Sequence, residues 1–222
     1  MTKPFCTAFA LVSLLASAGA NDLPAIQSEL FQELELVYQD TFTGEAAVLN
    51  TEFWEVRQSS TWSIKDGVLS GGPSSPEFQA KKLASNDPSH AGLKPVIWLK
   101  KVPENFVCSL RMRYDAPAYQ RGFPLLDLGH HIHTVVFSEK ATTLTIKKNV
   151  ETLPVMEPLF ALNQWHDVTI ELKKGTLLLT IDGKKHRFES TNIDMTGQAQ
   201  IDFKAVDHGT CQIDHVRVWA GR

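Results

Sequence analysis

The chain has 222 residues, with 22 Lys and Arg against 25 Asp and Glu for a formal charge of −3, and three Cys. That near-balance excludes the basic footprint a nucleic-acid backbone requires, and three Cys are too few for a disulfide framework. With 43% apolar and 21% charged residues, the composition is that of a globular chain long enough to bury its own core, not of a disordered or collagen-like one.

Residues 1–20 read as a secretory signal peptide. Lys3 supplies the positive start, residues 5–15 are apolar and uncharged, and Ala18 and Ala20 are the small residues at −3 and −1 of a cleavage site. The run is too short to span a bilayer comfortably, and polar Asn21-Asp22 follows at once. No other stretch approaches transmembrane length, so the expectation is an exported protein, periplasmic or extracellular, and not an integral membrane one. Cleavage removes one Lys and no acid, leaving 202 residues at net −4. Cys108 and Cys211 then remain in an oxidising compartment. They read as two small buried side chains on neighbouring strands, with a disulfide between them as the alternative.

Residues 21–36 are acidic, and Leu23, Ile26, Leu30 and Leu34 fall at three- and four-residue spacing, which predicts a short helical appendage. From Val37 the helical period disappears. Strands are expected at 37–42, 53–57, 61–65 and 68–70, with Asp66-Gly67 as a hairpin turn. The loops at 71–76 and 86–92 are rich in Ser, Pro, Gly and Asn and read as surface loops within one domain. Further strands follow at 96–100, 106–114, 123–128, 131–137 and 142–147, then at 165–172, 176–181, 185–188, 198–205 and 212–219. In 106–114, Phe106, Cys108, Leu110, Met112 and Tyr114 alternate with Val107, Ser109, Arg111 and Arg113, the pattern of a strand with one wet face. Val168, Ile170 and Leu172 alternate likewise, Lys173-Lys174-Gly175 turns the chain, and Asp182-Gly183 turns it again: an antiparallel meander. So many short strands with almost no helix predict an all-β sandwich or barrel spanning residues 37–222.

Three stretches carry a resemblance: Trp54-Glu55-Val56 with 61–69 (TWSIKDGVL), then 163–170 (NQWHDVTI) ending at Ile181-Asp182-Gly183, then 213–219 (IDHVRVW). In this order they resemble the concanavalin A-like lectin/glucanase superfamily, and within it the 3-keto-disaccharide hydrolase domain family, over roughly residues 37–220. The resemblance implies a jelly-roll of two curved antiparallel sheets whose concave sheet carries a glycan site. It also implies hydrolase-type chemistry on a glycoside, with a saccharide as partner. The Glu-x-Asp-x-x-Glu triplet of the superfamily's glucanases does not occur here. A non-catalytic, lectin-like glycan-binding module is therefore the alternative, and a sandwich that docks protein partners a third reading.

The densest chemical cluster is 127–133 (DLGHHIH). On a strand, His131 and His133 would share a face about 6–7 Å apart. They are open to three readings: core-edge residues continued by Val135 and Phe137, acid–base groups, or ligands of a divalent metal completed from another strand. No cofactor is otherwise expected. The acid–base candidates are Asp127, His131, His133 and Glu139. The saccharide-contact candidates are Tyr119 and Arg121 in a Pro/Gly loop, Arg111 on a wet strand face, and Trp98, the Trp outside the scaffold stretches.

Overall fold

The computed structural model describes residues 25–43, 48–86, 88–147, 150–197 and 200–222. The leader-like residues 1–20 lie outside them. The strands in chain order are β1 (Leu34–Asp40), β2 (Trp54–Arg57), β3 (Thr61–Lys65), β4 (Val68–Gly72), β5 (Val96–Lys100), β6 (Phe106–Asp115), β7 (Leu125–Leu128) and β8 (His133–Phe137). They continue as β9 (Thr142–Ile146), β10 (Glu151–Val155), β11 (His166–Lys173), β12 (Thr176–Ile181), β13 (Lys184–Glu189), β14 (Gln200–Lys204) and β15 (Thr210–Gly221). Among the described residues a short α-helix, α1 (Pro76–Leu83), and a single 3-10 turn at Pro88–His90 interrupt them.

The strands form two antiparallel sheets. One has eight strands in the order β13-β12-β11-β6-β15-β4-β3, with β1 also paired to β15; the other has seven in the order β10-β9-β8-β7-β14-β5-β2. Long β15 lies against β6, and shares its other side between β4 near its start and β1 towards its end. Alternation places one face of each sheet in a common core that includes Trp54, Phe106, Leu110, Phe137, Phe160 and Phe203. Each such fully buried side chain contributes on the order of 1.5–3 kcal/mol. The expected β-sandwich is what forms.

Several local expectations change. The described part of 21–36 carries no helix. Residues 25–33 lie as an irregular strap on the outer face of the eight-stranded sheet, where Ile26, Leu30, Phe31 and Leu34 pack with Val107 and Trp219. The spacing was apolar for a real reason, but the backbone amides of Glu29 and Leu30 bond the buried Glu171 carboxylate rather than a helical carbonyl. Helix α1 sits between the two stretches read as loops. It buries no residue, so no apolar period announces it; Ser75 caps it and Pro76 opens it. Cys108 and Cys211 are free and buried. Their strands are neighbours, yet Cys211 lies opposite Tyr114, six residues along β6 from Cys108. That is about 20 Å, beyond any disulfide.

Candidate functional site

The outer face of the seven-stranded sheet carries the polar alternates of the core residues. On β14, Ile201 and Phe203 point into the core, so Gln200, Asp202 and Lys204 point out. On β7, Leu126 and Leu128 are core, so Leu125 and Asp127 point out; Trp98 of β5 and Thr134 of β8 extend the same surface. A cleft of about 280 Å³ lies there, walled by Arg57, Gln58, Ser89, His90, Lys94 and Phe123.

The floor is a charged network. Asp127 and Asp202 are direct cross-strand partners, both buried. The Lys204 ammonium bridges them, bonding Asp127 Oδ2 and lying 3.4 Å from Asp202 Oδ2. Like charges opposite each other on one sheet face repel, and this ammonium offsets that cost. Thr134 Oγ1 also donates to Asp127, and Gln200 Nε2 donates to Asp202 at 2.6 Å.

Above the floor sit two imidazoles. His130 Nδ1 is 3.0 Å from Asp202 Oδ2, and His131 Nδ1 is 3.3 Å from Asp127 Oδ2. Their rings lie 4.1 Å apart between centroids, and His130 lies 4.9 Å from the Trp98 ring. Contact of each Nδ1 with a carboxylate orients the ring and favours the tautomer that leaves Nε2 as an acceptor. Desolvation and the nearby Lys204 charge lower the His131 pKa below the usual imidazole value, with Asp127 opposing them. His131 is therefore neutral near pH 7. The Arg57 guanidinium lies 3.9 Å over the Trp98 ring, and Lys94 lies 4.4 Å over Phe123.

The sequence candidates separate. Asp127, His131 and Trp98 meet in the cleft. His131 and His133 do not share a strand face: β8 begins at His133, and His131 occupies the preceding turn with φ +60°. His133 faces inward and is buried, its Nε2 3.1 Å from the backbone of Asp194. Glu139 is exposed in the turn at the far end of β8, away from the cleft. Tyr119 packs on the core and donates from its hydroxyl to the Phe160 carbonyl at 2.6 Å. Arg121 is exposed in the adjacent turn, outside the cleft lining. Arg111 lies on the other sheet, paired with Asp214 at 3.1 Å and over Trp165. Among the described residues no group of three or more His, Cys, Asp or Glu is arranged to hold a metal ion. None of the described helices is long and apolar enough to cross a membrane.

Sequence reasoning missed Lys204, Asp202, Arg57 and Lys94, and gave His130 no role beyond membership of the 127–133 cluster. One signal was present: Gln200-Ile201-Asp202-Phe203-Lys204 alternates perfectly, placing three polar side chains on one face of an otherwise apolar strand.

Two antiparallel sheets packed face to face, with an open cleft on the outer face of one, make a jelly-roll β-sandwich. Solved structures agree. The chain is similar to an endo-acting O-glycanase structure from work on the human gut microbiota, with TM-score 0.58 at 12% identity over 85% of this chain and 100% of that one. It is similar to the GlcNAcα1-4Gal-releasing endo-β-galactosidase of Clostridium perfringens, with TM-score 0.59 at 10% identity over 89% of this chain and 65% of that one. The endo-β-1,3(4)-glucanase SCLam of family GH16 gives TM-score 0.55 at 13% identity over 86% and 92%. At these identities the likeness shows the fold. No protein-family profile matches the chain, and no curated protein matches it.

Proposed function

We propose that the chain is an exported carbohydrate-active domain, akin to the 3-keto-disaccharide hydrolases, that acts on a glycoside in the cleft over Asp127 and Asp202. The observation that carries the reading is the His131–Asp127 pair at the cleft: a neutral imidazole, oriented through Nδ1 at 3.3 Å, with Nε2 left to take a proton. The carbohydrate-acting neighbours of the same fold support a saccharide as its partner. Export rests on residues 1–20.

The cleft is poorly suited to hydrolysis by two carboxyl groups, because that chemistry needs one carboxyl as acid and another as base or nucleophile. Here both carboxylates are ion-paired with Lys204. An imidazole base suits a 3-keto sugar better. The ketone acidifies the C2 proton; His131 takes it, and the electron pair moves through the enolate to expel the aglycone oxygen from C1. The imidazolium returns the proton to that oxygen, and water then adds across C1 and C2, so the net reaction is hydrolysis. In the test, wild type releases the aglycone from a 3-keto-disaccharide, and His131→Ala lowers kcat by about 10²-fold or more. Turnover unchanged in both His131→Ala and Asp127→Asn would sink the assignment.

A second reading is a non-catalytic glycan-binding module. The same Lys204 bridge and the missing carboxylate triplet favour it. Glycan binding on an array, with no sugar released from any keto- or ordinary disaccharide, would decide for it.

A further inference from the structure

The Lys and Arg residues lining the cleft are Arg57, Lys94 and Lys204, and each is already matched by a carboxylate. Glu55 holds Arg57, Asp207 holds Lys94, and Asp127 with Asp202 holds Lys204. Glu55 and Asp207 hold these wall cations from outside the lining. Glu55 also pairs with Lys100 at 3.7 Å, so four cations meet four carboxylates and these paired groups carry no net charge. Arg57 is doubly committed, because its guanidinium also lies on Trp98.

Resting on the carbohydrate reading, we propose that Glu55 and Asp207 are specificity-determining residues. They occupy the two wall cations that would otherwise recruit an acidic sugar, and so restrict the cleft to uncharged saccharides. A uronate entering this cleft finds, among the described residues, no unpaired guanidinium or ammonium for its carboxylate and is brought towards carboxylates that already hold those cations; juxtaposed like charge is a repulsive element of the kind that sets specificity. Removing either backing carboxylate frees one cation at the wall without touching the floor.

The test is direct binding of neutral disaccharides (cellobiose, lactose, trehalose) and oligogalacturonates to wild type, Glu55→Gln and Asp207→Asn, with thermal melts to confirm folding. Wild type is expected to bind at least one neutral sugar tenfold or more tighter than any oligogalacturonate. Either variant is expected to narrow that gap to about threefold, and 0.5 M NaCl to abolish the variants' gain, because partly exposed charges are screened. Oligogalacturonates bound by wild type as tightly as neutral sugars, or a gap unmoved in both variants, would overturn the selectivity while leaving the carbohydrate reading in place. No binding of any sugar by any of the three proteins would overturn the carbohydrate reading itself, and the inference with it.

Discussion

Asp127 on β7 and Asp202 on β14 stand directly opposite each other, and Lys204, two residues beyond Asp202 on the same face, joins them. The three side chains are nearly closed to solvent, at 1%, 0% and 10% exposure. Removing the ammonium while keeping its stem, as in Lys204→Met, leaves two carboxylates facing each other in a buried floor. Breaking a buried pair from one side costs about 3–5 kcal/mol. Urea unfolding should show a loss of that size, and adding Asp202→Asn to Lys204→Met should recover part of it. An unchanged midpoint would mean that the bridge does not form.

Acidification should weaken the fold before the carboxylates titrate. Desolvation lowers the pKa of His131, His133 and His215 below the ordinary 6.5. His133 is the most enclosed of them, and its Nδ1 has no hydrogen-bond partner among the described residues. Groups with depressed folded pKa bind fewer protons when folded than when unfolded. Their contribution is whole above about 6.5 and is lost as pH falls from there through the lowered folded values. Thermal midpoints should therefore drop between pH 7 and 5, and His133→Gln should flatten the slope.

His166 ties the loop before β11 to the turn after β12. Its Nδ1 is 2.6 Å from Asp182 Oδ2, and its Nε2 is 2.9 Å from the Ala161 carbonyl. His166→Ala removes a buried ring packed on Phe160 and unpairs the partly buried Ala161 backbone, while the half-exposed Asp182 returns to solvent, a loss of about 1–2 kcal/mol. Differential scanning calorimetry should show the drop, and on the proposed carbohydrate reading sugar binding in the cleft should persist.

Thiol mapping tests the register of β6 and β15. Burial pushes the Cys108 thiol up to about 12 and raises that of Cys211. Neither should react with a thiol reagent in the folded protein, and both should react on unfolding without reductant. A mapped Cys108–Cys211 bridge would require a different pairing of these strands.

Glu171 is the anchor of the strap. It accepts from Ser28 Oγ and from the amides of Glu29 and Leu30, at 2.5, 3.0 and 3.1 Å. Glu171→Ala should speed hydrogen exchange at those two amides and lower global stability by about 2 kcal/mol, while the affinity of the cleft stays unchanged.

The sandwich was legible because alternation is local. Phe106 to Tyr114, and Val168 to Ile181, declare their buried faces within a few residues, and the turns between them carry Gly. The site was legible only where its members are neighbours in sequence. Asp127 and His131 cluster, but Asp202 and Lys204 arrive from more than seventy residues away through the pairing of β14 with β7. His133 was misplaced by one turn: extending the strand back to 131 put both imidazoles on one face, whereas the left-handed backbone at His131 breaks that parity. Partnership, too, is invisible in a string. Arg111 reads as a free cation until Asp214 appears across from it.

The strap has a practical corollary. Arg222 N donates to the Glu33 carbonyl at 3.0 Å, and Leu34 pairs with Gly221, so the strap and the final strand meet on the sheet opposite the cleft. A protein coupled to a bead, chip or dye near Arg222 is held by its back. Its cleft then faces outward, which makes attachment on that side the orientation of choice for testing large glycans as ligands.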